Sequence, residues 1–78
     1  MEKSRFKTFG QYLAYIRLSK GLSLSDLSLA TGIVISTLSR YENNKLVPTK
    51  DNMINICEVL HESAEEMNEM WKSFQNKD

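Results

Sequence analysis

The sequence has too few ligands for a metal centre and no pair of cysteines for a disulfide. Its one cysteine, Cys57, and one histidine, His61, fall short of the four Cys/His ligands of a structural zinc site. No metal and no cofactor is expected. Three glycines and a single proline, Pro48, are too few for the many turns of a small β-sandwich or barrel. No apolar run approaches the roughly 18 residues of a membrane-spanning helix. Residues 1–7 lack the apolar stretch of a secretory signal. A reducing, cytoplasmic setting with no membrane partner is the expectation. Glycine-rich phosphate loops and nucleophile–base pairs are missing too, so no enzyme is expected. No second domain is seen for a small-molecule ligand.

Net charge is also zero, but the charges are unevenly spread. Residues 1–50 carry eight Lys/Arg and three acids, whereas residues 51–78 carry two Lys and seven acids. Such a polarised molecule can turn its basic end to phosphates and hold its acidic end away. At 78 residues the chain is one domain by length.

Local signals divide the chain into short helices. Residues 1–7 read as a flexible basic arm and 75–78 as a disordered tail, with one domain spanning 8–74. Thr8 and Gln11 make a capping box, and Phe9, Leu13 and Ile16 follow at helical spacing up to Lys20-Gly21. Ser23 and Asp26 open a second helix, with Leu22 and Leu27 placed as a hydrophobic staple and Thr31-Gly32 as its end. A third helix begins near Val34 or Ile35 and runs to about Asn43, with Leu38 and Tyr41 inward. Pro48 closes the loop that follows. Thr49 caps a fourth helix carrying Met53, Ile56, Val59 and Leu60. Ser63 and Glu66 start a fifth, with Met67, Met70, Trp71 and Phe74 at i, i+3, i+4, i+7. Cys57 reads as a buried small hydrophobe.

Two short helices joined by a glycine-containing turn describe a helix-turn-helix, here over about residues 23–43. Ser28 supplies a small residue where the helices approach, and Gly32 permits the turn. Leu27, Ile33, Leu38 and Tyr41 lock the pair at a fixed angle. The order and spacing of several stretches then resemble a known family. These are Leu13-Ala14-Tyr15-Ile16-Arg17, Lys20-Gly21-Leu22-Ser23, Asp26-Leu27-Ser28, Gly32-Ile33, Leu38 through Lys45, and Pro48-Thr49. Over residues 10–60 the chain resembles the phage Cro/repressor type of helix-turn-helix domain, the lambda-repressor-like (Xre) fold.

The resemblance implies an all-α, compact five-helix domain acting as a transcriptional regulator. It implies binding of duplex DNA, as a homodimer on a palindromic operator, with the helix at about 35–43 in the major groove. By the same pattern Arg17 and Glu42 form an ion pair between the first and third helices. Ile35, Ser36 and Arg40 face base edges, where an Arg pairs bidentately with guanine and an apolar group rests on a thymine methyl. Ser23, Thr37, Asn43 and Lys45 are phosphate contacts, which position without reading sequence. The Met67-Met70-Trp71-Phe74 stripe either closes the core or makes an isologous dimer contact.

The chain departs from the family's usual residues at Leu24, Ser28, Val34 and Ile35. Val34 cannot cap the third helix. Leu24, Val34 and Ile35 are expected to form an exposed apolar patch. That patch motivates an alternative reading, a protein-interaction module of the antirepressor or antitoxin-like kind on the same fold.

Overall fold

The computed structural model describes residues 8–62. Within them lie four α-helices: α1 (Phe9–Ser19), α2 (Leu24–Thr31), α3 (Ile35–Glu42) and α4 (Lys50–Leu60). The architecture is all-α, with four helices among the described residues rather than the five expected. The expected fifth helix lies outside the described residues, together with Met67, Met70, Trp71, Phe74, the basic arm and the tail.

Three of the four helix starts are explained by the residue before them. Thr8 accepts from the Gln11 amide at 3.1 Å, and Thr49 accepts from the Asn52 amide at 3.1 Å. Ser23 and Asp26 form a complete capping box, with both reciprocal bonds at 2.9 Å. Val34 offers α3 no side-chain cap. Such caps satisfy amides that a first turn leaves without intrahelical partners, at about 1 kcal/mol each.

The helices bury one shared core. Phe9, Tyr12, Leu13 and Ile16 of α1 meet Leu27 of α2, Leu38 and Tyr41 of α3, and Met53, Ile56 and Leu60 of α4. Leu27 and Leu38 are wholly buried. Truncating either to Ala removes about 2–5 kcal/mol, because the cavity adds to the lost transfer energy. Tyr41 brings a polar tip into this core, and Asn52 donates to its hydroxyl at 2.8 Å.

Leu24 corrects one expectation. It is half-buried and packs on the core, as do Leu22 and Val59, so it does not join an exposed patch with Val34 and Ile35. Cys57 is buried with its Sγ 3.8 Å from Met53 Sδ. Burial, then the nearby Glu62 and Glu58 carboxylates, push its thiol up to about 11. It is a neutral packing group at physiological pH.

Candidate nucleic-acid interface

The turn between α2 and α3 is fixed by a ring of hydrogen bonds. Gly32 sits at φ 79°, a left-handed conformation that costs a glycine nothing, and its N–H donates to the Ser28 carbonyl at 2.8 Å. Ser28 Oγ donates onward to the Ile33 carbonyl at 2.6 Å. Thr31 Oγ1 donates to the Leu27 carbonyl at 2.8 Å and accepts from the Ile33 amide at 3.1 Å. Asn55, reaching from α4, donates to the Thr31 carbonyl at 2.7 Å. Four carbonyls at the end of α2 and in the turn are thereby satisfied, and the entry angle of α3 is set.

The other end of α3 is tied to α1 twice. Arg17 Nε donates to Glu42 Oε2 at 2.7 Å and Nη2 donates to Oε1 at 3.0 Å, a bidentate fork. Its Nη1 donates to the Leu22 carbonyl at 2.7 Å, so one guanidinium joins α1, α3 and the loop before α2. Both side chains are about nine-tenths covered. The hydrogen bonds to Glu42 hold the Arg17 guanidinium above its usual range against the opposing effect of burial.

The second tie is Asn44. It adopts φ 61°, where Asn is tolerated better than most residues. Its Oδ1 accepts from the Gly10 amide at 3.0 Å, and its Nδ2 donates to Thr8 Oγ1 at 3.0 Å. The start of α1 is thus capped partly from the end of α3. The approach is close: a Cβ on Gly10 would lie 2.4 Å from the Glu42 carbonyl oxygen and 2.7 Å from that of Tyr41.

Held at both ends, α3 turns Leu38 and Tyr41 inward and the opposite face outward. Ser36, Ser39, Arg40 and Asn43 follow one another at i, i+3, i+4, i+7, which places them on one side of a helix. Ser36, Arg40 and Asn43 are exposed, and Ser39 is half-buried. Ile35 is exposed at 46% and Thr37 is half-buried, on the two margins of the face. Asn43 Nδ2 donates to the Ser39 carbonyl at 2.8 Å, which caps the helix and orients the amide. Lys45 lies exposed just beyond, its backbone amide bonded to the Arg40 carbonyl at 2.8 Å. Ser39 is not among the residues that the family resemblance points to, although its spacing to Ser36 and Asn43 places it on the same face.

Charge on this face is one-sided. Among the described residues neither Arg40 nor Lys45 is in an ion pair, and Glu42 is taken by Arg17. Two free cations therefore border a row of hydroxyl and amide groups. Ser23 stands apart from this face, at the start of α2. Its Oγ already accepts from the Asp26 amide, and to a phosphate it can offer its hydroxyl hydrogen. Backbone and side-chain hydrogen bonds with Ser23 hold the Asp26 carboxyl below its usual range. An anion approaching Ser23 meets that negative charge.

Among the described residues no group of His, Cys, Asp and Glu is placed to hold a metal ion, and no helix is long and apolar enough to cross a membrane. The family model described as helix-turn-helix matches residues 13–67, more than half of the chain. No curated protein and no solved structure matches.

Proposed function

The chain belongs to the helix-turn-helix family, in its lambda-repressor-like branch, and from that premise we propose that it is a sequence-specific regulator of transcription. The family is one of DNA-binding regulatory domains and not of enzymes. In this reading α3 enters the major groove of duplex DNA. Arg40 pairs with a guanine edge, Ser36 hydrogen-bonds a base, and Ile35 rests on a thymine methyl. Asn43, Lys45 and Thr37 contact phosphates and fix the register, and Ser23 adds a contact through its hydroxyl hydrogen at the start of α2. The protein works in the cytoplasm as a homodimer on a palindromic operator, with Met67, Met70, Trp71 and Phe74 as the candidates for closing the core or making the dimer contact.

One observation carries the reading. A helix anchored at both ends presents Arg40, with Lys45 just beyond it, beside a row of hydrogen-bonding groups, and among the described residues neither cation is in an ion pair and the one carboxylate there, Glu42, is held by Arg17. Selection from a random duplex library, followed by salt titration on the selected site, tests it. The expected result is a consensus of two inverted half-sites with centres about 34 Å apart and affinity that falls steeply with salt. A library that yields no enriched sequence defeats the proposal.

Exposed Val34 (61%) and Leu29 (83%) favour a second reading, a protein-interaction module. Recovery of one stoichiometric protein partner from nuclease-treated extract, with no binding to any duplex, is the result that would select it.

A further inference from the structure

Reading bases sets a demand on how firmly α3 is held. A contact to a base edge needs its side chain placed within about 0.5 Å. Apolar packing alone meets this poorly, because it is not directional. Hydrogen bonds do direct, since they weaken steeply with distance and angle. Arg17 and Asn44 hold the end of α3 against α1 in this way. The closest backbone packing joins α3 to α1 and α2, and α4 to α2. To that packing α4 adds two directed bonds of its own.

Asn52 and Asn55 are three residues apart on α4, so their side chains leave the same face. Asn55 Nδ2 donates to the carbonyl of Thr31, the last residue of α2, at 2.7 Å. Asn52 Nδ2 donates to Tyr41 Oη, in the last turn of α3, at 2.8 Å. One bond bears on the turn that leads into α3 and the other on its far end. A single support would leave α3 a pivot, whereas two from one face of α4 fix its tilt. Arg40 precedes Tyr41 in the chain and moves with it. Both asparagines are half-buried and Tyr41 is buried, which shelters the two bonds from water.

We propose that Asn52 and Asn55 are positioning residues for sequence reading, which hold α3 at the angle where Arg40 meets its base. They act through Tyr41 and the turn rather than on the duplex. This rests on the reading of α3 as a DNA-binding helix. Losing a support lets α3 tilt. Tilt blunts the choice between bases more than it weakens phosphate contacts, which position the protein without reading sequence.

The test compares the full chain with Asn55→Ala, Tyr41→Phe and the two combined. Affinity is measured for the selected duplex and for the same duplex changed at the base pair where Arg40→Ala loses discrimination. Tyr41→Phe removes one buried oxygen and so tests the Asn52 support without altering Asn52. The parent's ratio of the two affinities is expected at about 5- to 150-fold. Each single variant narrows it by about two- to tenfold, the equilibrium bias of one hydrogen bond, and the double variant narrows it further. Destabilisation alone does not imitate this. Unfolded chains bind neither duplex, so a smaller folded fraction lowers both affinities by one factor and keeps the ratio. Cys57→Ala, a core change on the same helix where the sulfur meets Met53, is expected to show that behaviour. Narrowing there as well would mean that the ratio follows stability, and overturns the proposal. An unchanged ratio in either support variant removes that asparagine from the role and leaves base reading by Arg40 standing. A parent that discriminates at no base pair overturns both. Should Asn55→Ala fail to fold, Tyr41→Phe decides alone.

Discussion

Gly10→Ala puts the packing argument to its sharpest test, because local propensity and tertiary contact predict opposite signs. Gly10 lies in the first turn of α1. On helix propensity alone Ala there gains up to about 1 kcal/mol. The added methyl would lie 2.4 Å and 2.7 Å from two backbone carbonyl oxygens and 2.8 Å from Asn44 Oδ1. Carbonyls at the end of a helix cannot swing aside as a side chain can, so α1 and α3 must separate. Such overpacking costs about 1–3 kcal/mol. Separation also stretches the Gly10–Asn44 hydrogen bond, worth about 0.5–1.5 kcal/mol. The net expectation is a destabilisation of about 2 kcal/mol, a fall in Tm of roughly 8–16 °C for a domain of this size. Urea and thermal unfolding of the purified chain measure it. A variant as stable as the parent, or more stable, would refute the close approach of α1 to α3.

Removing one member of the Arg17–Glu42 pair strands a covered charge, so Glu42→Ala is expected to cost about 3 kcal/mol, whereas Arg17→Met with Glu42→Leu recovers most of the loss; a double variant no better than the single one contradicts this. Val34→Thr keeps the shape and adds the missing cap to α3, so the urea midpoint should rise, by about 0.5–1 kcal/mol in stability. A fall in that midpoint would mean Val34 has a packing role its exposure does not reveal. The folded state holds the Cys57 proton more tightly than the unfolded chain does, since its thiol is raised to about 11 from an ordinary value near 9. The stability this contributes is complete below pH 9 and is lost as pH climbs from there through 11. The parent should therefore lose more stability over that interval than Cys57→Ala, and equal losses would show that the thiol is not buried.

Much of this fold is readable along the chain because its signals are local. Thr8, Gly21, Ser23 with Asp26, Gly32 and Thr49 each act within a few residues, and α1 and α2 begin and end beside them, as α4 begins beside Thr49. Inward positions such as Leu13, Leu27, Leu38 and Ile56 follow from periodicity alone. What escaped depends on partners distant in sequence. Asn44 reads as a turn residue, yet its amide spans 34 positions to reach Gly10. Gly10 looks like an unhelpful residue in a helix until the carbonyls facing it are known. Ser28 reads as a small residue, but its hydroxyl also clamps the turn through Ile33. Leu24 follows a cap and looked exposed, whereas the staple geometry around Leu22 and Leu27 draws it toward the core. For the candidate interface, spacing separates outward from inward positions on α3. The tying of its far end to the start of α1 is a tertiary fact that no local pattern contains.

The most direct test of base reading by the outward face of α3 is the affinity of Arg40→Ala, set beside the parent, across a selected duplex and its single-base variants. The expected outcome is discrimination at one base pair collapsing by about 1–3 kcal/mol, with preferences elsewhere in the site retained. A uniform loss across all duplexes, or no loss at all, would contradict the assignment of Arg40 to a base edge and with it the account of how α3 recognises its target.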